Sequence, residues 1–308
     1  MGKNARCFGQ DIMHGENEKL RRDKRKQAPA RERERERERD VSERLTWVAG
    51  NRPEDALDDT SRKILAAQPE SGTSIFDPVL CELAYRWFCP PGGSVLDPFA
   101  GGSVRGIVAA KCGLQYTGID LSARQIVANE AQAAVIVPGN LPAWIVGDSV
   151  NVKTLAPGEY DLIFSCPPYF DLEVYSDEPG DMSAMKWDDF LVAYRTIIAA
   201  SVAMLKPNRF AVFVVGDVRD KAGYYRKFPW HTVEAFEASG MRLYNEAVLV
   251  TAVGSLPIRV GKMFGRYRKL GKTHQNVLVF YKGDIKAIPE EFGEVKIENE
   301  WINQGDEQ

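Results

Sequence analysis

The chain has 308 residues, of which 44% are hydrophobic and 27% charged, the proportions of a soluble globular protein with a sizeable core. Its five cysteines (Cys7, Cys81, Cys89, Cys112, Cys166) are scattered and lack the two-residue spacing of a zinc site, so neither a metal nor a disulfide framework is expected. No apolar run approaches membrane-spanning length and no signal-peptide segment opens the sequence, which predicts a soluble, cytoplasmic protein.

The formal net charge of -3 is unevenly spread. Residues 1–45 carry 14 Lys and Arg against 10 Asp and Glu, and arginine strictly alternates with acid from Arg31 to Asp40. Nothing there can fill a core, so a charged extension, helical or flexible, is expected, followed by a polar linker over 46–73. The remainder is mildly acidic and can meet nucleic acid only through a local basic patch.

From Ser74 the texture changes. Phe76-Asp77-Pro78 reads as a helix start, with an apolar helix over Val79 to Phe88 that Pro90-Pro91-Gly92-Gly93 ends. A short apolar strand from Ser94 then runs into the glycine-rich turn Asp97-Pro98-Phe99-Ala100-Gly101-Gly102-Ser103, and Val104 to Cys112 makes the next helix. Gln115 to Ile119 is a second strand ending at Asp120, and Ser122 caps a helix over Ala123 to Ala134. Ala143 to Val146 is a third strand, ending at Gly147-Asp148. Leu162-Ile163-Phe164 is the fourth, opened by Asp161 and stopped by Pro167-Pro168. A helix from Trp187 to Leu205, a strand over Phe210 to Val215, a helix over Thr232 to Ala238, and strands over Leu243 to Val253 and Val277 to Tyr281 complete the series. Strand and helix alternate throughout, so the fold class is α/β, a doubly wound, mostly parallel sheet with late antiparallel strands.

Two stretches carry chemistry. The turn Asp97 to Ser103 places two glycines where backbone must approach a ligand closely, and it opens a helix whose amide end favours an anion. Asp120, ending the next strand, stands where nucleotide-binding α/β folds hold ribose hydroxyls. Asp148 ends the third strand in the same way. The second stretch is Ser165-Cys166-Pro167-Pro168-Tyr169, a stiff lip at the carboxyl edge of the sheet, where open α/β sheets bind ligands. Its peptide carbonyls can accept hydrogen bonds, and Tyr169 offers a flat face for a base.

With these residues the sequence resembles the S-adenosylmethionine-dependent amino-methyltransferases of DNA. The resemblance runs from about Ser74 to Gly283 and rests on Asp97-Pro-Phe-Ala-Gly-Gly-Ser103 and Pro167-Pro168-Tyr169. It is nearest to phage-associated members with the Ser-Cys-Pro-Pro-Tyr pattern and a Val214-Val-Gly-Asp-Val-Arg219 strand end. It implies a seven-stranded Rossmann-like methyltransferase fold over 74–285, an acidic tail over 286–308, and S-adenosylmethionine as cofactor. The segment Phe76-Asp77 and the turn Asp97, Pro98, Phe99, Ala100, Gly101, Gly102 and Ser103 would hold the methionine part. Asp120 with Leu121 would bind the ribose, and Asp148 with Ser149 the adenine. His274-Gln275-Asn276 resembles the late segment beside the target base. The expected partner is DNA, in a bacterial or phage-infected cell, with no membrane and no metal; a homodimer stays open.

The family usually has Asp, Asn or Ser directly before Pro-Pro, whereas this chain has Cys166 there and Ser165 one residue earlier. Cytosine N4 is therefore placed ahead of adenine N6 as the target. The expected chemistry is direct: the Pro167 carbonyl and Ser165 or Cys166 take the amine's hydrogens while the flipped base lies against Tyr169. Cys166 as a nucleophile for carbon-5 methylation would need proline before the cysteine, and the order here is reversed. RNA amino-methylation and a non-catalytic nucleic-acid-binding role on the same scaffold are the other readings.

The basic patch is expected over Arg259, Lys262, Arg266, Arg268, Lys269 and Lys272, a run without an acid, interleaved with Met263, Phe264 and Tyr267 and followed by His274. It reads as a long loop. Tyr224-Tyr225-Arg226-Lys227 is a second candidate, and the acidic stretch Glu173 to Asp181 is expected to gate the pocket.

Overall fold

Strand β4 (Tyr160–Ser165) is buried along its whole length, as a strand covered on both faces must be. Its side chains alternate between two cores. Leu162 and Phe164 enter one, with Tyr85, Val95, Ala109, Ala133 and Val212, and Ile163 enters the other, with Tyr194, Ile198, Phe213, Phe236 and Phe280. The same alternation sorts Phe210, Val212 and Val214 of the neighbouring strand from Ala211, Phe213 and Val215.

The computed structural model describes residues 76–170, 181–250 and 256–295, except the side chains of 256–259 and 262. The chain divides into Met1–Ala56 and Leu57–Gln308, and every described residue belongs to the second unit. The expected extension and linker lie outside the described residues, as do 173–180 of the acidic stretch and 296–308 of the expected tail.

Strands β1 (Ser94–Asp97), β2 (Gln115–Asp120), β3 (Ala143–Val146), β4, β5 (Leu205–Val215), β6 (Arg242–Val250) and β7 (His274–Lys282) form one sheet in the order β3-β2-β1-β4-β5-β7-β6. β1 to β5 run parallel, and β7 lies antiparallel between β5 and β6. This is the expected doubly wound, mostly parallel, Rossmann-like sheet of seven strands. The chain winds outward from β1 through β3 on one side and from β4 on the other. Between β1 and β4 lies the topological switch point, at whose carboxyl ends open α/β sheets bind ligands.

Helices α1 (Pro78–Phe88), α2 (Val104–Lys111) and α3 (Ala123–Ile136) contribute to the first core. The Asp77 carboxylate caps α1, accepting from the amides of Val79 (2.8 Å) and Leu80 (3.2 Å), with Pro78 in the first turn. Ser122 caps α3 through the Gln125 amide at 3.2 Å, as expected. After the short α4 (Val152–Leu155), α5 (Trp187–Met204) and α6 (Phe228–Ala238) pack on the opposite core.

Four features differ from the sequence reading. β5 begins at Leu205, because Tyr160 pairs with Leu205 and the next pair, Leu162 with Phe210, skips Lys206 to Arg209 in a bulge around Asn208 at φ +55. α6 begins at Phe228, directly after a left-handed Lys227, with Pro229 tolerated in its first turn. The basic run is only partly a loop: α7 (Leu256–Tyr267) takes Arg259, Lys262 and Arg266, with Pro257 again in the first turn, and Arg268, Lys269 and Lys272 follow it. The ordered body also continues past 285 into α8 (Ile288–Phe292), where the Phe292 ring meets Phe210 edge-on at 5.0 Å and Arg209 bonds Glu291 at 2.6 Å.

At the amino end of β4, Asp161 fastens three strands. Its carboxylate accepts from the Ser94 amide (3.0 Å), Lys206 (2.9 Å) and Arg209 (3.0 Å). Burial alone would raise its pKa, but these bonds outweigh it and bring the group down to about 2.

Candidate active site

The carboxyl ends of β1 and β4 are Asp97 and Ser165, both fully buried. The Ser165 hydroxyl donates to Asp97 Oδ1 at 2.5 Å. The Phe99 amide reaches the same oxygen at 3.1 Å, and Oδ2 accepts from Arg105 Nε (2.6 Å) and the Tyr116 hydroxyl (2.7 Å). Arg105 then turns back on the loop, its Nη2 donating to the carbonyls of Phe99 (2.6 Å) and Ala100 (2.8 Å), with Phe76 under its guanidinium at 4.8 Å. Burial works against the Arg105 charge, yet Asp97 beside it outweighs that and holds the guanidinium protonated. Burial first, and then Asp97, push the Tyr116 phenol far above its ordinary range.

Asp97 and Ser165 therefore enter the site as its frame, with their polar atoms turned inward. Ser103 also faces inward, donating to Gln132. Ser165 was expected as an acceptor beside the substrate amine. Its enclosed hydroxyl is committed to Asp97, because a β-strand's last residue points into the core when its predecessors' alternation demands it. The half-buried Cys166 is the next residue along the lip.

The turn itself is open above its glycines. Gly101 sits at φ +51, and neither it nor Gly102 has any atom within 4 Å of where a Cβ would stand. Gly101 is gripped from below, its amide donating to Asp120 Oδ2 (2.9 Å) and its carbonyl accepting from Asn129 (2.7 Å). Asp120 also accepts from the Ser122 amide at 2.8 Å. Burial raises its pKa, although these two amide bonds oppose the rise. Leu121 beside it is half-buried. Asp148 is half-buried and takes the Val150 amide at 3.0 Å, while Ser149 donates to the Pro98 carbonyl at 2.5 Å and so ties the exit of β3 to the turn. Phe99, also half-buried, lies 6.0 Å from Tyr194, and Ala100 is wholly buried.

Past Ser165 the lip Cys166-Pro167-Pro168-Tyr169 leaves the sheet. The Tyr169 hydroxyl accepts from Gln275 Nε2 at 2.7 Å and stands 3.5 Å from Cys166 Sγ. Its ring lies over Gly216, where an added Cβ would come within 3.6 Å, and meets Phe228 edge-on at 6.5 Å. Phe170 follows in the left-handed region at φ +53, a strained conformation for an aromatic residue, and packs edge-on against Trp187 (5.1 Å) and Phe190 (5.4 Å).

Of the expected nucleic-acid contacts, Arg266 and Arg268 are exposed and Lys269 is half-buried. Arg259 and Lys262 belong to α7, but their side chains lie outside the described residues. Lys272 reaches Asn276 at 3.3 Å, and His274 is the exposed first residue of β7. Asp181, the described end of the acidic stretch, is buried and bonds Ser183. Sequence reasoning did not single out Arg105, Tyr116, Asn129 or Gln132. Gln275 was noted only as part of a late segment, without a role. Among the described residues no cluster of His, Cys, Asp and Glu could hold a metal, and no helix is long and apolar enough to cross a membrane.

No protein-family model matches the chain, and no curated protein matches it. Among solved structures it is similar to TrmN from Thermus thermophilus, at 18% identity and a TM-score of 0.45 over 72% of this chain and 53% of that one. It thus spans about half of TrmN. It is also similar to magnesium protoporphyrin IX methyltransferase (ChlM) from Synechocystis PCC 6803 with bound SAM, at 13% identity, a TM-score of 0.44, and coverage of 72% and 90%. The CcbJ methyltransferase from Streptomyces caelestis gives 13% identity and a TM-score of 0.47 over 72% and 96%.

Proposed function

We propose that the protein transfers a methyl group from S-adenosylmethionine to an exocyclic amino group of a DNA base, cytosine N4 ahead of adenine N6. The observation that carries this reading is the Ser165–Asp97 bond at the switch point, which joins the Pro-Pro-Tyr lip directly to the glycine turn. A group donated over the turn and a base held at the lip would then meet on one rigid frame.

The residues present fit the cofactor. The space above Gly101 and Gly102 admits a ligand against bare backbone. Asp120 is held by two amides in a position to accept from ribose hydroxyls, and Asp148, just past the end of the adjacent strand β3, would accept from an adenine amino group. Once bound, S-adenosylmethionine supplies an electrophilic methyl group on a positively charged sulfur.

The chain's own part is positioning. An exocyclic amine is a weak nucleophile because its lone pair is delocalised into the ring. The Pro167 carbonyl accepts one of its hydrogens and so favours the pyramidal nitrogen. The Cys166 sulfur, a weaker acceptor, would take the other hydrogen. Tyr169, fixed through its hydroxyl by Gln275, stacks the extruded base on the ring face turned away from Gly216. No covalent bond to the protein is required.

The test is mass spectrometry of nucleosides from DNA incubated with the protein and S-adenosylmethionine, with RNA alongside. N4-methylcytosine is the expected product. N6-methyladenine would move the target base, modified RNA alone would move the polymer, and no product on either would overturn the reading.

A further inference from the structure

The sequence separates two aromatic and basic segments that the fold brings together. The first is a hairpin leaving the carboxyl end of β5, closed by the Arg219–Tyr225 bridge and by the Arg226 amide on the Val218 carbonyl at 2.8 Å. The second is the end of α7 and the turn behind it. Lys269 Nζ occupies the place where a side chain on Gly223 would begin, so the turn after α7 rests on the hairpin tip. Gly223, at φ +95, provides that room.

The joined surface is unusual in what it exposes. Tyr224 is 73% exposed, Tyr225 41%, Phe264 45% and Tyr267 55%. Cations already lie on three of these rings: Arg219 over Tyr225 at 3.8 Å, Arg268 over Phe264 at 5.6 Å, and both Arg266 (5.2 Å) and Lys269 (5.7 Å) against Tyr267. Residues 256–272 contain no acid. The hairpin's two carboxylates are engaged, Asp220 by the Tyr224 amide at 2.9 Å and Asp217, at its base, by the Phe228 amide at 3.2 Å.

The hairpin is also fixed to the lip. Arg226 lies between Phe170 and Trp187, 4.7 Å from each ring, and its Nε is buried without a hydrogen-bond partner among the described residues. A strand threaded across the exposed rings would therefore arrive beside Tyr169.

We propose that this surface binds single-stranded nucleic acid, stacking unpaired bases on Tyr224 and Tyr267 while Arg266 and Lys269 meet the backbone. Exposed rings flanked by cations are a stacking platform, which any unpaired base can use. In a duplex the base faces are already covered by their neighbours, so the rings would find nothing to stack on. The inference rests on the proposed function in that it makes the substrate strand single-stranded near the target base.

The test is fluorescence anisotropy with labelled 12-nucleotide DNA and RNA strands and the matching duplex, over a salt series, using the full chain. Single strands are expected to bind at least about ten-fold tighter than duplex. Tyr224→Ala and Tyr267→Ala should each weaken the single strand about ten-fold with the salt slope unchanged. Tyr224→Phe, which keeps the ring, should bind as the parent does. A Lys269→Gln variant should lower the salt slope by about 0.7. Equal affinity for duplex, or unchanged binding by both alanine variants, overturns the inference. Methyl transfer to duplex DNA together with that result would leave the proposed function standing. Conversely, the expected strand preference without any methylated product would sink the function and keep the surface.

Discussion

The side-chain amide of Gln275, on β7, donates to the hydroxyl of Tyr169 at 2.7 Å across 106 residues of sequence. The aromatic residue of the lip is thus held from the antiparallel half of the sheet. Tyr169→Phe and Gln275→Leu should each slow methyl transfer by about ten-fold, roughly 1.4 kcal/mol of barrier. The double variant should be no slower than Tyr169→Phe alone, because that variant already lacks the Gln275 bond along with the hydroxyl's 3.5 Å contact to the Val214 carbonyl. Additive losses would show that Gln275 acts elsewhere. Tyr169→Ala should abolish transfer and leave cofactor binding intact, measured by calorimetry with S-adenosylhomocysteine.

Asp97 is the most heavily bonded carboxylate of the site, and Arg105 depends on it. Asp97→Asn should cost about 3–5 kcal/mol, since it leaves a buried guanidinium without its counter-charge. Ser165→Ala should cost less, about 1.5–3 kcal/mol, the worth of one hydrogen bond to a charged group. Urea denaturation of both variants checks the ranking. A Ser165→Ala variant inactive at full stability would restore a direct chemical role to that hydroxyl.

Gly102 has open space above it and a φ outside the left-handed region. Gly102→Ala should therefore raise stability slightly, by about 0.4–1 kcal/mol, through the unfolded chain. The same methyl group stands where the cofactor is proposed to approach, so affinity for S-adenosylhomocysteine should fall by about ten-fold or more. The two readouts should move in opposite directions. Unchanged affinity would place the cofactor away from this turn.

The Asp161 carboxyl, brought down to about 2, links stability to acid. A folded pKa below the unfolded one gives a contribution that is complete above about pH 4 and lost as pH falls toward about 2. Asp161→Asn should flatten that acid limb in urea midpoints taken between about pH 5 and about pH 2.5. At neutral pH it should cost about 2 kcal/mol, less than a fully buried pair because Lys206 reaches solvent. An acid limb of unchanged steepness would contradict this assignment.

What the sequence made legible were local signals. The double proline ends β4 because neither residue can donate to the ladder, and the two glycines mark the turn after β1. The four-residue bulge in β5 was invisible because Pro207 and Asn208 read as a plain loop before a strand. The basic run read as a loop because it follows Gly254-Ser-Leu-Pro257, whereas the chain folds its first half as α7 with Pro257 harmless in the first turn. The bonds that frame the site could not be read at all. Ser165 with Asp97 spans 68 residues, and Gln275 with Tyr169 spans more, so both depend on strand register and order, which no local pattern carries.

The position of β7 sets the order in which this protein can be made. Because β7 lies between β5 and β6, β5 is paired on its β4 side alone and β6 has no partner until residues 274–282 have left the ribosome. During synthesis β5 and β6 wait as two open edges, the surfaces most ready to pair with another chain. A nascent chain stalled before residue 274 would carry both of these edges and would lack Gln275, so Tyr169 would be unanchored. Completing the sheet and steadying the lip are thus one late event.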